Sequence, residues 1–143
     1  MVEIRKAEEK DCEQILKMIF DTPELLGMEN SEDTIHTREF VLSYISDKKN
    51  RIALVAEEKE KVIGFLFSDL STYSYLADLV ILPEFKGRGI ATKLMQEHES
   101  ICKNLGIKIL IGLVQSENRY MQKFLENKNF KKGKSLIQFQ KSI

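Results

Sequence analysis

Lys86, Gly87, Arg88 and Gly89 stand where an apolar run ends and a helical pattern begins, and that combination binds anions. In Leu79-Val-Ile-Leu-Pro-Glu-Phe-Lys-Gly-Arg-Gly-Ile-Ala91 the strand-like run meets Pro83, which cannot donate to a ladder. Gly87 and Gly89 put no Cβ between the main-chain amides and an approaching phosphate oxygen. Ile90 opens a helix whose first amides lack acceptors and whose dipole favours negative charge. The chemistry of such a turn is the cradling of a phosphate or pyrophosphate.

The remaining chain must position that turn. Met1 to Lys6 alternates like a short strand, and Asp11 with Gln14 resembles a capping box ahead of the stripe Ile15, Met18, Ile19. Pro23 and Gly27 break this helix. Ser31 reads as the next N-cap, with Ile35, Val41, Leu42 and Ile45 carrying a second helix. Ile52–Ala56 and Val62–Phe67 read as two strands joined by the charged turn Glu57–Lys61, and Gly64 signals a bulge or a close backbone approach. Tyr73–Leu82 is the strand that feeds the glycine turn. Ile90, Leu94, Met95, Ile101 and Leu105 line the helix after it, which Gly106 ends. Ile107–Val114 has the composition of an interior strand, Asn118 starts a short helix, and Phe130–Lys134 with Leu136–Gln140 read as two closing strands. The order β-α-α-β-β-β-α-β-α-β-β predicts a mixed sheet with helices on both faces, the turn lying where open α/β sheets bind ligands.

Composition narrows the partners. The 143 residues suffice for one domain with a substantial core, and 43% apolar with 31% charged residues is the balance of a globular chain. Lys plus Arg and Asp plus Glu are 22 each, so no global field draws the chain to nucleic acid or anionic lipid. Cys12 and Cys102 make no metal-ligand spacing with His36 or His98, and a reduced intracellular setting is the simplest account. No apolar run reaches the roughly 18 residues of a membrane span, and no secretory h-region is visible at the N-terminus. A cytoplasmic location is expected.

The pattern Lys86-x-x-Gly89-x-Ala91 resembles the pyrophosphate motif of the GCN5-related N-acetyltransferase superfamily, usually Gln/Arg-x-x-Gly-x-Gly/Ala, with Lys86 departing at the first position. Ala77 to Ala91 is similar to the family's fourth strand and loop. Val114-x-x-x-Asn118, with Phe130 twelve residues beyond the Asn, is similar to the segment after its fifth strand. The resemblance implies an α/β fold of the acyl-CoA N-acyltransferase type, a single mixed, mostly antiparallel sheet of about six or seven strands with about four helices. It implies acetyl-CoA as cofactor and transfer to the amine of a small molecule or peptide. The main chain of Leu79, Val80 and Ile81 would bind the pantetheine arm, and one of its amides would polarise the thioester carbonyl. The amides of Gly87, Arg88, Gly89, Ile90, Ala91 and Thr92 would hold the pyrophosphate, with Lys86 and the Arg88 side chain adding charge. Asn118 would contact the pantetheine. Oligomeric state stays open, dimers being common among relatives.

The same resemblance exposes two departures. Many relatives have a Tyr seven residues after the helix Asn and a Glu on the fifth strand, and here those positions hold Leu125 and Leu113. Tyr120 lies about 140° around the helix from residue 125. Tyr75, six residues before Ile81, occupies a position where relatives carry a catalytic Glu or Tyr, and is the candidate proton carrier. Simple strand alternation places Tyr75, Ala77, Leu79 and Ile81 on one face and Asp78 on the other, where a structural hydrogen bond would occupy it. A packed aromatic is the plain alternative for Tyr75.

A lysine amine of pKa about 10.4 is neutral in only about one molecule in 2500 at pH 7, a cost of roughly 4.6 kcal/mol, against about 1 kcal/mol for an α-amine near 7.8. Without a carboxylate base, an α-amine or another amine of lowered pKa is the better-suited acceptor. Glu24, Glu29, Glu32 and Asp33 would attract a cationic amine, although acids at a helix start also serve as caps. The alternative to an enzyme is a CoA-binding module of the same fold that has lost activity. A nucleotide phosphate loop is disfavoured, because Gly-x-x-x-x-Gly-Lys-Ser/Thr is absent.

Overall fold

Two adjacent left-handed residues, Lys59 and Glu60 (φ 50° and 64°), turn the chain so tightly that Glu58 pairs with Lys61 and the central hairpin forms. It appears in a computed structural model that describes residues 1–22 and 35–143. These fall into two units, Met1–Gly112 and Leu113–Ile143, taken separately below.

The first unit holds one five-stranded sheet in the order β1 (Glu3–Lys6), β2 (Arg51–Glu58), β3 (Lys61–Leu70), β4 (Ser74–Ile81) and β5 (Leu110–Gly112). Neighbours are antiparallel from β1 to β4, and β5 runs parallel to β4. Helices α1 (Cys12–Phe20) and α2 (Arg38–Ser46) cover one face, burying Ile15, Ile19, Val41 and Tyr44 against Val55, Phe65, Phe67 and Val80. Helix α3 (Ile90–Asn104) covers the other and buries Ile90, Leu94, Met95 and His98. The mixed, mostly antiparallel sheet between helices is as the sequence predicts. Its five strands are fewer than the six or seven expected.

The shortfall lies in the second unit. Residues 128–143 form neither helix nor strand, and Leu136, Ile137 and Phe139 are exposed, so the two closing strands predicted at 130–134 and 136–140 are not there. Alternation of apolar residues shows that a strand would be amphipathic; it does not supply the partner a strand needs. For the same reason 107–114 is not an interior strand. Only Leu110–Gly112 pairs, at the sheet edge, with Ile109 and Ile111 exposed. The second unit's helix α4 (Arg119–Asn127) buries Leu125.

Local chemistry explains other boundaries. Asp11 does not pair with Gln14. Its carboxylate accepts from Glu8 N (2.8 Å) and takes both ends of the Arg5 guanidinium (2.8 and 2.9 Å), while Gln14 Oε1 accepts from Val62 N. Burial alone would raise the Asp11 pKa, but Arg5 prevails and lowers it. The expected N-cap Ser31 lies outside the described residues. The cap of α2 is Thr37, accepting from Phe40 N at 3.2 Å, and Ile35 precedes the helix. Gly106 ends α3 at φ 78° with bonds from Gly106 N to Lys103 O and Ile107 N to Cys102 O, the double closure of a Schellman motif. Gly64 answers both of its signals: the register runs from Ala56↔Gly64 to Glu57↔Val62, so Ile63 beside it is an extra residue, and a Cβ at Gly64 would stand 2.7 Å from Ile81 Cδ1 and 3.1 Å from Val80 O. Among the described residues no helix is long and apolar enough to cross a membrane, and no group of three or more His, Cys, Asp or Glu is placed to hold a metal.

Candidate active site

Strand β4 is paired on both edges only at its start. Ser74, Tyr75 and Leu76 face Leu110, Ile111 and Gly112 of β5, and from Ala77 to Ile81 that edge has no strand partner among the described residues. The main chain of Leu79, Val80 and Ile81 therefore presents donors and acceptors on the β5 side while its other edge stays in the ladder with β3. An extended, amide-bearing molecule can add to such an edge as a strand does.

At the end of β4 the chain turns through Pro83–Phe85 and reaches Gly87 and Gly89, both left-handed at φ 82° and 76°. Only glycine adopts this backbone routinely, and beyond the adjoining residues no atom of the described residues lies within 4 Å of where either Cβ would stand. The cradle is open. The first intrahelical bond of α3 runs from Lys93 N to Gly89 O at 3.0 Å, which leaves the amides of Ile90, Ala91 and Thr92 ahead of it without intrahelical acceptors. The first turn of α3 carries no acid, whereas those of α1 and α2 carry Glu13 and Glu39. Nothing there competes with a bound anion for the positive end of the dipole. Arg88 is exposed, its guanidinium 5.0 Å from the centre of the Phe85 ring and 4.0 Å from Glu58, and Lys61 Nζ is 5.9 Å from the same ring. Lys86 is exposed beside them. Loop and helix start thus offer a geometry that fits a pyrophosphate, and the free edge of β4 fits the arm that would follow it.

Tyr75 lies on the opposite face from the one simple alternation predicts. Register runs Leu66↔Leu79, Phe67↔Asp78, then Ser68↔Leu76 and Asp69↔Tyr75, so Ala77 is an extra residue in β4. A bulge of one residue reverses the alternation beyond it. Tyr75 consequently shares a face with Asp78 and Asp69, on the α1/α2 side, and not with Leu79 and Ile81. The Tyr75 hydroxyl is held above its ordinary pKa by burial first and then by the charges of Asp69 and Asp78. Asp69 is fully engaged, accepting from Tyr44 Oη at 2.6 Å and pairing with Arg51 at 3.1 Å. Asp78 is 6% exposed, and its Oδ2 has no hydrogen-bond partner among the described residues. The structural hydrogen bond expected for it is absent at this atom. Burial pushes its pKa up to about 6, assisted by Asp69 and opposed by His36. The sequence does not reveal that Asp78 and Tyr75 share a face, because both faces of β4 are covered by helices and hydrophobic periodicity cannot register a bulge there.

The opposite face of the same strands holds a second polar group. Ser74 Oγ lies 2.5 Å from Ser68 Oγ and 2.8 Å from His98 Nε2, which is 3.6 Å from Cys102 Sγ. Burial alone drives the His98 pKa down to about 4, so the imidazole is neutral at pH 7, with Nδ1 unpartnered.

In the second unit Asn118 caps α4, its Oδ1 accepting from Met121 N at 3.1 Å. Leu113 and Tyr120 are exposed, and Leu125 is buried.

Compared with known proteins, the sequence matches the acetyltransferase (GNAT) family over residues 10–130. The chain belongs to that family. As a GNAT member it is an acyltransferase whose acyl donor is acetyl-CoA. It is similar to N-alpha-acetyltransferase 30 of Schizosaccharomyces pombe, 26% identical over 106 residues that cover 70% of this chain and 71% of the relative. Its fold is similar to that of the PaiA N-acetyltransferase from Thermoplasma acidophilum in complex with coenzyme A, with a TM-score of 0.81, 22% identity and coverage of 90% and 88% of the two chains. The fold of AAC(6')-Iy in complex with a bisubstrate analogue is also similar, with a TM-score of 0.79, 18% identity and coverage of 100% and 99%.

Proposed function

We propose that this GNAT chain transfers the acetyl group of acetyl-CoA to a primary amine, with the α-amine of a peptide or a small-molecule amine as acceptor, by direct attack on the thioester. One observation carries the reading: the unpaired edge of β4 leads straight into two left-handed glycines at an acid-free helix start. Bound there, acetyl-CoA supplies an activated acyl group. Leu79, Val80 and Ile81 would hold the pantetheine arm through main-chain hydrogen bonds, and one of their amides would donate to the carbonyl oxygen as charge develops on it. The amides of Gly87 to Thr92 would hold the pyrophosphate, with Lys86 and Arg88 adding charge. The family resemblance assigns Asn118 to the pantetheine as well; in its own unit the Oδ1 of Asn118 serves the α4 cap. Alignment of amine and thioester on this frame is worth roughly 7–11 kcal/mol.

The cost of neutralising the amine favours an α-amine, and the similarity to an N-alpha-acetyltransferase points the same way. Release of CoA thiol measured with an α-amino tetrapeptide, an Nα-blocked lysine amide and spermidine tests the proposal. The tetrapeptide is expected to react fastest. A clear preference for spermidine would refute the α-amine assignment, and acetyl-CoA binding without thiol release from any amine would leave a binding module.

A further inference from the structure

We propose that Asp78 takes the proton of the incoming ammonium group, an assignment that rests on the acetyltransferase reading above. It stands on three features of the fold. The bulge at Ala77 turns Asp78 onto the face of Tyr75, at the point where the edge of β4 loses its partner. Asp78 immediately precedes Leu79, the first residue of the stretch assigned to the acyl donor. Its Oδ2 is buried without a hydrogen-bond partner, a costly condition for a carboxylate whose task is purely structural. The neighbouring acid on the same face, Asp69, is already held by Tyr44 and Arg51 and has no such vacancy to fill.

The groups facing Asp78 set its behaviour. His36, ahead of α2, supplies positive character, and Asp69 of β3 supplies negative. Tyr44 of α2 is held protonated by burial and by Asp69, and Tyr75 is likewise held protonated, with Tyr73 at the strand entrance adding to the effect. Arg51 of β2 is spent on Asp69 and on the Tyr44 ring, 4.4 Å from its centre. A carboxylate among neutral phenols, pushed upward by burial and by Asp69, is ionised at neutral pH and is a stronger base than an exposed aspartate.

An N–H bond of the ammonium breaks, its electron pair remains on nitrogen, and the proton passes to Asp78 Oδ2. The neutral nitrogen then forms the C–N bond to the acyl carbon while the C–S bond breaks. The second amine proton leaves with sulfur as the thiol, and the proton on Asp78 is lost to solvent after product departs. With a base near pKa 6, the transfer is uphill about 10²-fold for an α-ammonium and about 10⁴-fold for a lysine ammonium. The assignment therefore strengthens the α-amine preference.

The test is the Asp78→Asn variant, assayed with whichever amine of the panel above releases thiol fastest. Its kcat/KM is expected to fall about 10²-fold and to lose the acid limb near pH 6 that the wild type shows, with CoA affinity by calorimetry kept within about twofold. A second measurement uses the wild type alone. The carboxyl carbon of Asp78, followed by NMR titration, should move to lower pKa by about half a unit or more when the amine saturates the site. Variant activity within about threefold of wild type with the acid limb intact overturns the assignment alone, as does an Asp78 titration indifferent to the amine. Failure of the wild type to release thiol with any amine overturns the acetyltransferase reading, and the assignment with it.

Discussion

Two buried groups on opposite faces of β4, His98 and Asp78, are set to titrate against each other, and this fixes an unusual pH profile of stability. His98 falls from an ordinary 6.5 to about 4 on burial, so as pH drops from 6.5 to 4 the unfolded chain takes up the proton first and the folded state loses stability. Asp78 rises from 3.8 to about 6. Over the window from pH 6 down to 3.8 the folded state takes up the proton first and gains stability. Each shift is a little over two units, about 3 kcal/mol, with opposite signs. Between pH 6 and 4 the two nearly cancel. Removing one exposes the other: relative to wild type, His98→Gln should gain about 3 kcal/mol on going from pH 6.5 to 4, and Asp78→Asn should lose about 3 kcal/mol over nearly the same range. Taking the difference from wild type removes the common contributions of Asp11 and Glu57. The chain has no Trp, so urea unfolding followed by far-UV circular dichroism at half-unit pH steps is the assay. Parallel profiles for all three proteins would refute the reasoning, because neither group would then be burying a titration.

Gly89→Ala forces a Cβ into the left-handed region and into the open cradle, and should weaken CoA binding about tenfold or more in calorimetry while leaving the unfolding midpoint within a few degrees. Gly64→Ala places a Cβ 2.7 Å from Ile81 Cδ1 and 3.1 Å from a main-chain oxygen of β4. The side chain can move but the strand cannot readily do so, and a loss of about 1–3 kcal/mol in urea unfolding is expected. Arg5→Met leaves Asp11, whose side chain is 2% exposed, without its bidentate partner, and should lower stability by about 3 kcal/mol at pH 7. Part of that loss should be recovered in Arg5→Met/Asp11→Leu.

The glycine turn was legible because its signal is local: Pro83, Gly87 and Gly89 each dictate their own backbone, and the helix starts at Ile90 as its apolar spacing predicts. The first four strands and three of the helices follow from periodicity for the same reason. What periodicity misses is anything decided by a partner. The bulge at Ala77 depends on how β3 and β4 mesh, and it reversed the faces of Tyr75 and Asp78. The strand patterns after Phe130 find no ladder to join, and Asp11 was drawn from its apparent capping role by an arginine six residues earlier in the chain. The site is accordingly divided: the anion cradle could be read from residue types alone, but the acid that completes it required the register.

The bare edge of β4 also has a meaning for handling the protein. A row of amides and carbonyls from Ala77 to Ile81 with no strand partner among the described residues is a template for any other strand, including one from a neighbouring copy, and proteins usually blunt such edges with charge, proline or a covering element. Only Asp78 is charged along this one. A molecule lying along it as an added strand would therefore shield the chain as well as react on it. Solubility and resistance to aggregation should rise with acetyl-CoA in the buffer, making the donor a stabiliser of the fold that uses it.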